Sequence, residues 1–209
     1  MQTVAHLASQ LPLPIRPMAA PEEQPGEHRI VISDVSWGGY CAVRELLDNP
    51  GLRMAYADGE LEIMSPSKRH EKLKILMGRL VETFAVARGI PLTGLGSTTF
   101  RSEAKARGAE PDECYSLGSG DGDVPDLAIE VVLSSGGLDK LDIYAGLGVR
   151  EVWIWQADQL EVYVLVGGSY QPAERSSVLP DLDLTLLAAH VRMPVQHEAV
   201  QAFAALVRA

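Results

Sequence analysis

The chain has 209 residues, 46% of them hydrophobic and 22% charged, a globular composition long enough to bury one sizeable core. No apolar run approaches the roughly 18 to 20 residues that a membrane span requires, and the N-terminus reaches Arg16 without the apolar core of a secretory signal. A formal net charge of −10 works against nucleic-acid binding, because phosphate neutralisation supplies most of that affinity, although a basic strip can coexist with acidic faces.

Residues 1–30 carry Pro12, Pro14, Pro17, Pro21 and Pro25 without a lasting period, which predicts a flexible N-terminal segment ahead of a single domain over 31–209. Ser33 to Ser36 offers a cap for a helix over 37–48, with Tyr40, Val43 and Leu47 at helical spacing and Asn49, Pro50 and Gly51 as its stop. Asp58-Gly59 between two short alternating runs predicts a hairpin. Ser65, Pro66 and Ser67 open a helix over 66–88, with Leu73, Leu76, Leu80 and Phe84 as its buried stripe and Gly89 at its end. Lys68, Arg69, Lys72 and Lys74 make its first half basic, the best candidate for a phosphate-facing strip.

Residues 91–101 and 112–117 read as strands, with a polar hairpin loop at 102–108 between them and a turn at 116–123. Residues 127–133 are apolar except for Glu130, the pattern of a central strand covered on both faces. A helix over 137–147, with Leu138, Leu141 and Ala145 toward the sheet, ends at Gly148, and 149–155 returns as a strand parallel to the first. A hairpin over 159–166 and 169–175 turns at Gly167-Gly168, an extended segment spans 178–187, and a last helix covers 195–208. The sum is an α/β fold, a mixed central sheet flanked by helices.

Cys41 and Cys114 make neither a disulfide framework nor a zinc site, so a reducing, cytoplasmic compartment is expected. No His neighbours Cys114 in sequence, and thiol catalysis is not expected there. Glu130 is the sharpest chemical signal. Burying an ionised carboxylate in an apolar strand requires a partner, a metal or a polar cavity. Alternation puts Ala128, Glu130 and Val132 on one face and Leu127, Ile129, Val131 and Leu133 on the other. Asp112 follows Pro111 at a strand entrance, and alone would read as a turn aspartate. Asp126 lies on the face of Glu130 but about 13 Å away, and is expected to cap the strand entrance. Lys140 precedes Tyr144 by one helical turn, so both can project from one side, where a lysine could stabilise developing negative charge or help activate water. Asp142 should face solvent.

The stretch 125–135 with Lys140, Tyr144, Gly148, Val149, Glu151 and Trp153, together with upstream Gly59, Glu60, Leu61, Met64, Ser65, Pro66 and His70, resembles the Uma-two family of restriction-endonuclease-like proteins over most of 33–165. The resemblance implies the restriction-endonuclease-like mixed sheet of the PD-(D/E)XK superfamily. It also implies a metal-dependent endonuclease that hydrolyses phosphodiester bonds in DNA. Asp112 and Glu130 would hold Mg²⁺ or Mn²⁺, and the catalytic set would be Asp112, Glu130, Lys140, Glu60 and His70. The lysine of the superfamily pattern falls at Val132, so the resemblance implies that Lys140 replaces it as a migrated lysine. That departure and the acidic balance support an alternative, a catalytically inactive nuclease fold serving as a binding or assembly module. A third reading places Trp153, Trp155 and Tyr163 in a homodimer interface, where aromatic residues are enriched, with core packing expected for at least one of the tryptophans.

Overall fold

The computed structural model describes residues 27–47, 49, 51–134 and 137–208. Strand β1 (His28–Ile32) begins inside the stretch expected as a lead-in, and residues 1–26 lie outside the described residues. Helix α1 (Trp37–Leu46) starts at Ser36, whose Oγ accepts the Gly39 N–H at 3.1 Å. Strands β2 (Arg53–Ala57) and β3 (Glu60–Ser65) form the expected hairpin. Asp58 (φ 45°) and Gly59 (φ 95°) both turn left-handed there, as a two-residue turn matched to strand twist requires. Ser67 then caps α2 (Lys68–Arg88).

Strands β4 (Leu92–Gly94), β5 (Phe100–Ser102), β6 (Arg107–Ala109), β7 (Glu113–Leu117) and β8 (Leu127–Val132) follow, then α3 (Lys140–Leu147). The chain continues through β9 (Glu151–Gln156), β10 (Gln159–Val166), β11 (Ser169–Pro172), α4 (Leu184–Val191) and α5 (Gln196–Val207). An antiparallel sheet has the order β1-β3-β2-β6-β5, and a mixed sheet has the order β11-β10-β9-β8-β7-β4, with β8 and β9 parallel across α3.

Three apolar clusters define the layers. On one face of the mixed sheet, Ile129, Val131, Trp153 and Trp155 pack with Leu76, Leu80 and Phe84 of α2 and Phe203 of α5. On its other face, Ala128 and Val152 pack with Ile143, Tyr144 and Leu147 of α3, which meets Ala55, Phe100 and Ala109 of the antiparallel sheet beyond. Tyr40 of α1 covers that sheet's outer side against Met54, Tyr56 and Leu61. The tryptophans assigned to a dimer interface are therefore core residues, Trp153 fully buried and Trp155 nearly so.

Several expectations are corrected. The strand expected over 91–101 splits between the two sheets, because Gly94, Leu95 and Gly96 let the chain leave one for the other. The segment read as a loop over 102–108 contains the start of β6, which pairs with β2 and β5. Part of the extended segment over 178–187 is α4, capped where Asp183 Oδ1 accepts the Leu186 N–H at 2.9 Å. Helix α3 starts at Lys140 rather than 137, because Asp139 takes the cap by accepting the Leu141 N–H at 2.9 Å. Its buried residues are consequently Ile143, Tyr144 and Leu147.

Trp153 also donates its indole N–H to the buried Glu151 carboxylate at 2.6 Å. Trp153→Ala is expected to lower the unfolding free energy by about 3–5 kcal/mol in urea titration, whereas a loss under about 1 kcal/mol would place it outside the core.

Candidate active site

The antiparallel β7–β8 ladder ends with Glu113 against Ile129, and Asp112 and Glu130 are the next residues on the two segments beyond that last pair. Asp112 stands where β7 begins, and its Oδ2 accepts the Val131 N–H at 2.8 Å. His70, buried on the inner side of α2, places Nε2 2.8 Å from Asp112 Oδ1 and Nδ1 2.6 Å from Glu27 Oε1. Burial alone would lower the imidazole pKa. The Asp112 and Glu27 carboxylates outweigh it and raise His70 to about 9. Burial would likewise raise Glu27, but His70, the Ser134 hydroxyl and the Leu133 N–H hold it down at about 2.

Glu130 projects from the α3 side of β8, where the Tyr144 hydroxyl donates to its Oε1. Its pKa is raised to about 7, first by burial and then by the Asp112 and Glu62 charges, against the lowering effect of Lys140. Lys140 occupies the first position of α3, mostly buried, with Nζ 3.0 Å from Glu62 Oε1. Burial alone would lower its ammonium, but Glu130 and Glu62 together raise it.

The structure thus brings together Asp112, Glu130, Lys140 and His70. It does not bring Glu60, which is exposed where β3 leaves the hairpin; Glu62, two residues on and buried, is the acid that reaches Lys140. The basic strip is also shorter than expected. Lys74 is buried and pairs with Glu71 at 3.0 Å, while Lys68, Arg69 and Lys72 are exposed. Lys72 lies two residues from the inward-pointing His70 and so projects from the opposite side of the helix. Asp126 accepts the Leu117 N–H at 2.8 Å, as expected of a strand cap, and Asp142 is exposed and pairs with Arg107 at 2.9 Å. Cys114 is buried, its thiol pushed up to about 12 chiefly by that burial.

Three participants escaped the sequence reading: Glu27, Arg29 and Glu62. Arg29 Nη2 stands 3.1 Å from Glu27, and Nη1 stands 3.8 Å from Glu62. Glu62 did carry a signal, since it interrupts the apolar Leu61, Ile63 and Met64 much as Glu130 interrupts its own strand. Glu27, in a proline-rich context, carried none.

The architecture is of a mixed α/β class, with two sheets and flanking helices among the described residues. The chain belongs to the Uma2 family, described as "Putative restriction endonuclease", whose model matches residues 40–196. A solved structure, described as that of "a putative nuclease belonging to DUF820 from Anabaena variabilis ATCC 29413", is similar over 78% of this chain and 98% of that chain, at 14% identity and a TM-score of 0.44. No curated protein matches the chain. Among the described residues, no helix is long and apolar enough to cross a membrane.

The His70 shift has a stability consequence. A pKa raised from 6.5 to about 9 means that the stabilisation is complete below pH 6.5 and is lost as pH rises through about 9. In chelator-treated protein, His70→Asn is expected to cost on the order of 3 kcal/mol near pH 6, shrinking above pH 9. Thermal melts of both proteins across that range test it, and a pH-independent difference would contradict a charged His70.

Proposed function

We propose that the protein is a metal-dependent endonuclease that hydrolyses phosphodiester bonds in DNA. One observation carries the reading: the buried Asp112, held to β8 by the Val131 N–H, lies close enough to the buried Glu130 for their charges to interact, and Lys140 shares that site. The charge count supports a cation there. Glu27, Glu62, Asp112 and Glu130 are four carboxylates, against three cationic groups in Arg29, His70 and Lys140. The excess is one negative charge, which adds to the larger effect of burial in raising the proton affinity of Glu130.

Hard carboxylate oxygens suit Mg²⁺ or Mn²⁺. Among the described residues, no three His, Cys, Asp or Glu side chains stand as a closed metal cage. A Mg²⁺ ion, which takes one or two carboxylates and completes its shell with water and substrate phosphate, does not need one. Held by Asp112 and Glu130, it would supply polarisation of the scissile phosphate and a lower pKa for the attacking water.

The chain's own groups have separable tasks. His70 and the Val131 N–H fix the orientation of Asp112, and the Tyr144 hydroxyl fixes Glu130. Lys140, with its pKa raised, keeps its proton and is suited to neutralising charge that develops on the phosphate, not to acting as a base. Glu62 holds that ammonium in place.

Supercoiled plasmid with Mg²⁺ or Mn²⁺ tests the proposal. Wild type is expected to nick it, Glu130→Gln to fall to background, and Lys140→Ala to lose about 10²–10³-fold in rate. Equal cleavage by Glu130→Gln would remove Glu130 from the mechanism. A wild type inert with both ions would assign the chain to the binding or assembly modules instead. Because Glu130 must release its proton to take the ion, Mg²⁺ affinity measured by calorimetry is expected to weaken as pH falls through about 7. A constant affinity over about pH 6 to 8 would argue that Glu130 is not a ligand.

A further inference from the structure

The family match begins at residue 40, yet two side chains from ahead of it enter the site. Glu27 is a hub of four contacts. Its Oε1 stands 2.6 Å from His70 Nδ1 and accepts the Leu133 N–H at 3.3 Å. Its Oε2 accepts the Ser134 hydroxyl at 2.7 Å and Arg29 Nη2 at 3.1 Å. Glu62 is a second hub, accepting the Leu138 N–H at 2.7 Å and holding Lys140 Nζ at 3.0 Å.

The connection from β8 to α3 is therefore gripped twice. Glu27 holds Leu133 and Ser134 just after β8, and Glu62 holds Leu138, just before the Asp139 cap of α3. Arg29 spans the two carboxylates and is the cation they share, each having a second cation of its own in His70 and Lys140. Gly137 shows how closely this is packed, since a Cβ there would collide with both Arg29 Nη1 and Glu62 Oε2. Lys140 is three residues further on, at the first position of α3.

We propose that Arg29 is a positioning residue: by bridging Glu27 and Glu62 it fixes Leu133 and Ser134 after β8 and Leu138 ahead of α3, and through Leu138 the place of Lys140 beside Glu130. The site is then completed by a strand that lies outside the family-matched residues. The catalytic consequence rests on the nuclease reading above, whereas the placement of Lys140 does not.

The test uses the full chain as wild type, Arg29→Ala, Arg29→Lys and Gly137→Ala, each checked for folding by circular dichroism. Acetylation of Lys140 by limiting acetic anhydride, followed by mass spectrometry, reads its placement without any substrate. Lys140 is expected to label several-fold faster in Arg29→Ala, to return toward wild type in Arg29→Lys, and to speed up in Gly137→Ala, where the bridge is displaced with its charge intact. On cleaved DNA, Arg29→Ala is expected to lose on the order of tenfold in kcat with KM unchanged, the pattern of a misplaced group and not of lost binding. A folded Arg29→Ala that labels at the wild-type rate overturns the proposal, and so does faster labelling with kcat intact. Should Arg29→Ala fail to fold, wild-type labelling in Gly137→Ala overturns it equally. A wild type that cuts no DNA defeats the nuclease reading alone and leaves the labelling rates to judge the clamp.

Discussion

Everything at this site follows from the burial of one carboxylate in the middle of an apolar strand. Glu130 is flanked on its sheet face by Ala128 and Val132 and lies close to Asp112, so its charge has neither water nor distance to dilute it. The surrounding side chains form an alternating chain of charges whose two ends, Glu130 and Asp112, are both carboxylates. Glu130 faces Lys140, Lys140 touches Glu62, Arg29 links Glu62 to Glu27, and His70 links Glu27 to Asp112. Removing one of the three cations weakens the compensation of the buried carboxylates on either side of it, which is more costly than losing an exposed ion pair. A core assembled for stability alone would place hydrophobic residues here.

Strand β8 can hold these charges because its two faces have different work. Ile129 and Val131 pack with the tryptophans of β9 and the apolar stripe of α2, a dry and rigid backing. Ala128 on the other face is small, which leaves room for Glu130 beside Tyr144 and for the start of α3. Period-two alternation thus separates support from chemistry within six residues. The parallel pairing with β9 puts strands on both sides of β8 and keeps its polar backbone groups satisfied.

The legible parts of the molecule are those governed by local rules. Asp58-Gly59 specifies its turn through backbone sterics, and the stripe from Leu76 to Phe84 specifies the inner face of α2 through helical period. Glu130 was visible because a charge in an apolar strand contradicts its surroundings, whereas Asp112 alone read as a turn aspartate and took its site role from the resemblance. Resemblance supplied His70, which periodicity alone would have left as a helix residue, and gave Lys140, already marked by its spacing to Tyr144, the role of a migrated lysine. Register is where local reading failed. Glu60 and Glu62 share a strand face, but only the packing of β1 and α3 decides which of them meets Lys140. The division of 91–101 between two sheets, and the arrival of Glu27 from a proline-rich approach, depend on contacts between residues distant in sequence. No window of ten residues contains that information.

Helix α3 is the layer that both sheets share, packed against β6, β2 and β5 on one side and against β11 on the other. Its eight residues carry Lys140 at one end and Tyr144 a turn later. One inserted or deleted residue within it would rotate all that follows by about 100° and shift it by about 1.5 Å, parting lysine from tyrosine and unseating both sheets together. Surface turns such as Gly167-Gly168 face no such constraint. Length variation in relatives of this chain should therefore be tolerated at the hairpin tips and refused between Lys140 and Gly148, where spacing is fixed by mechanics and chemistry at once.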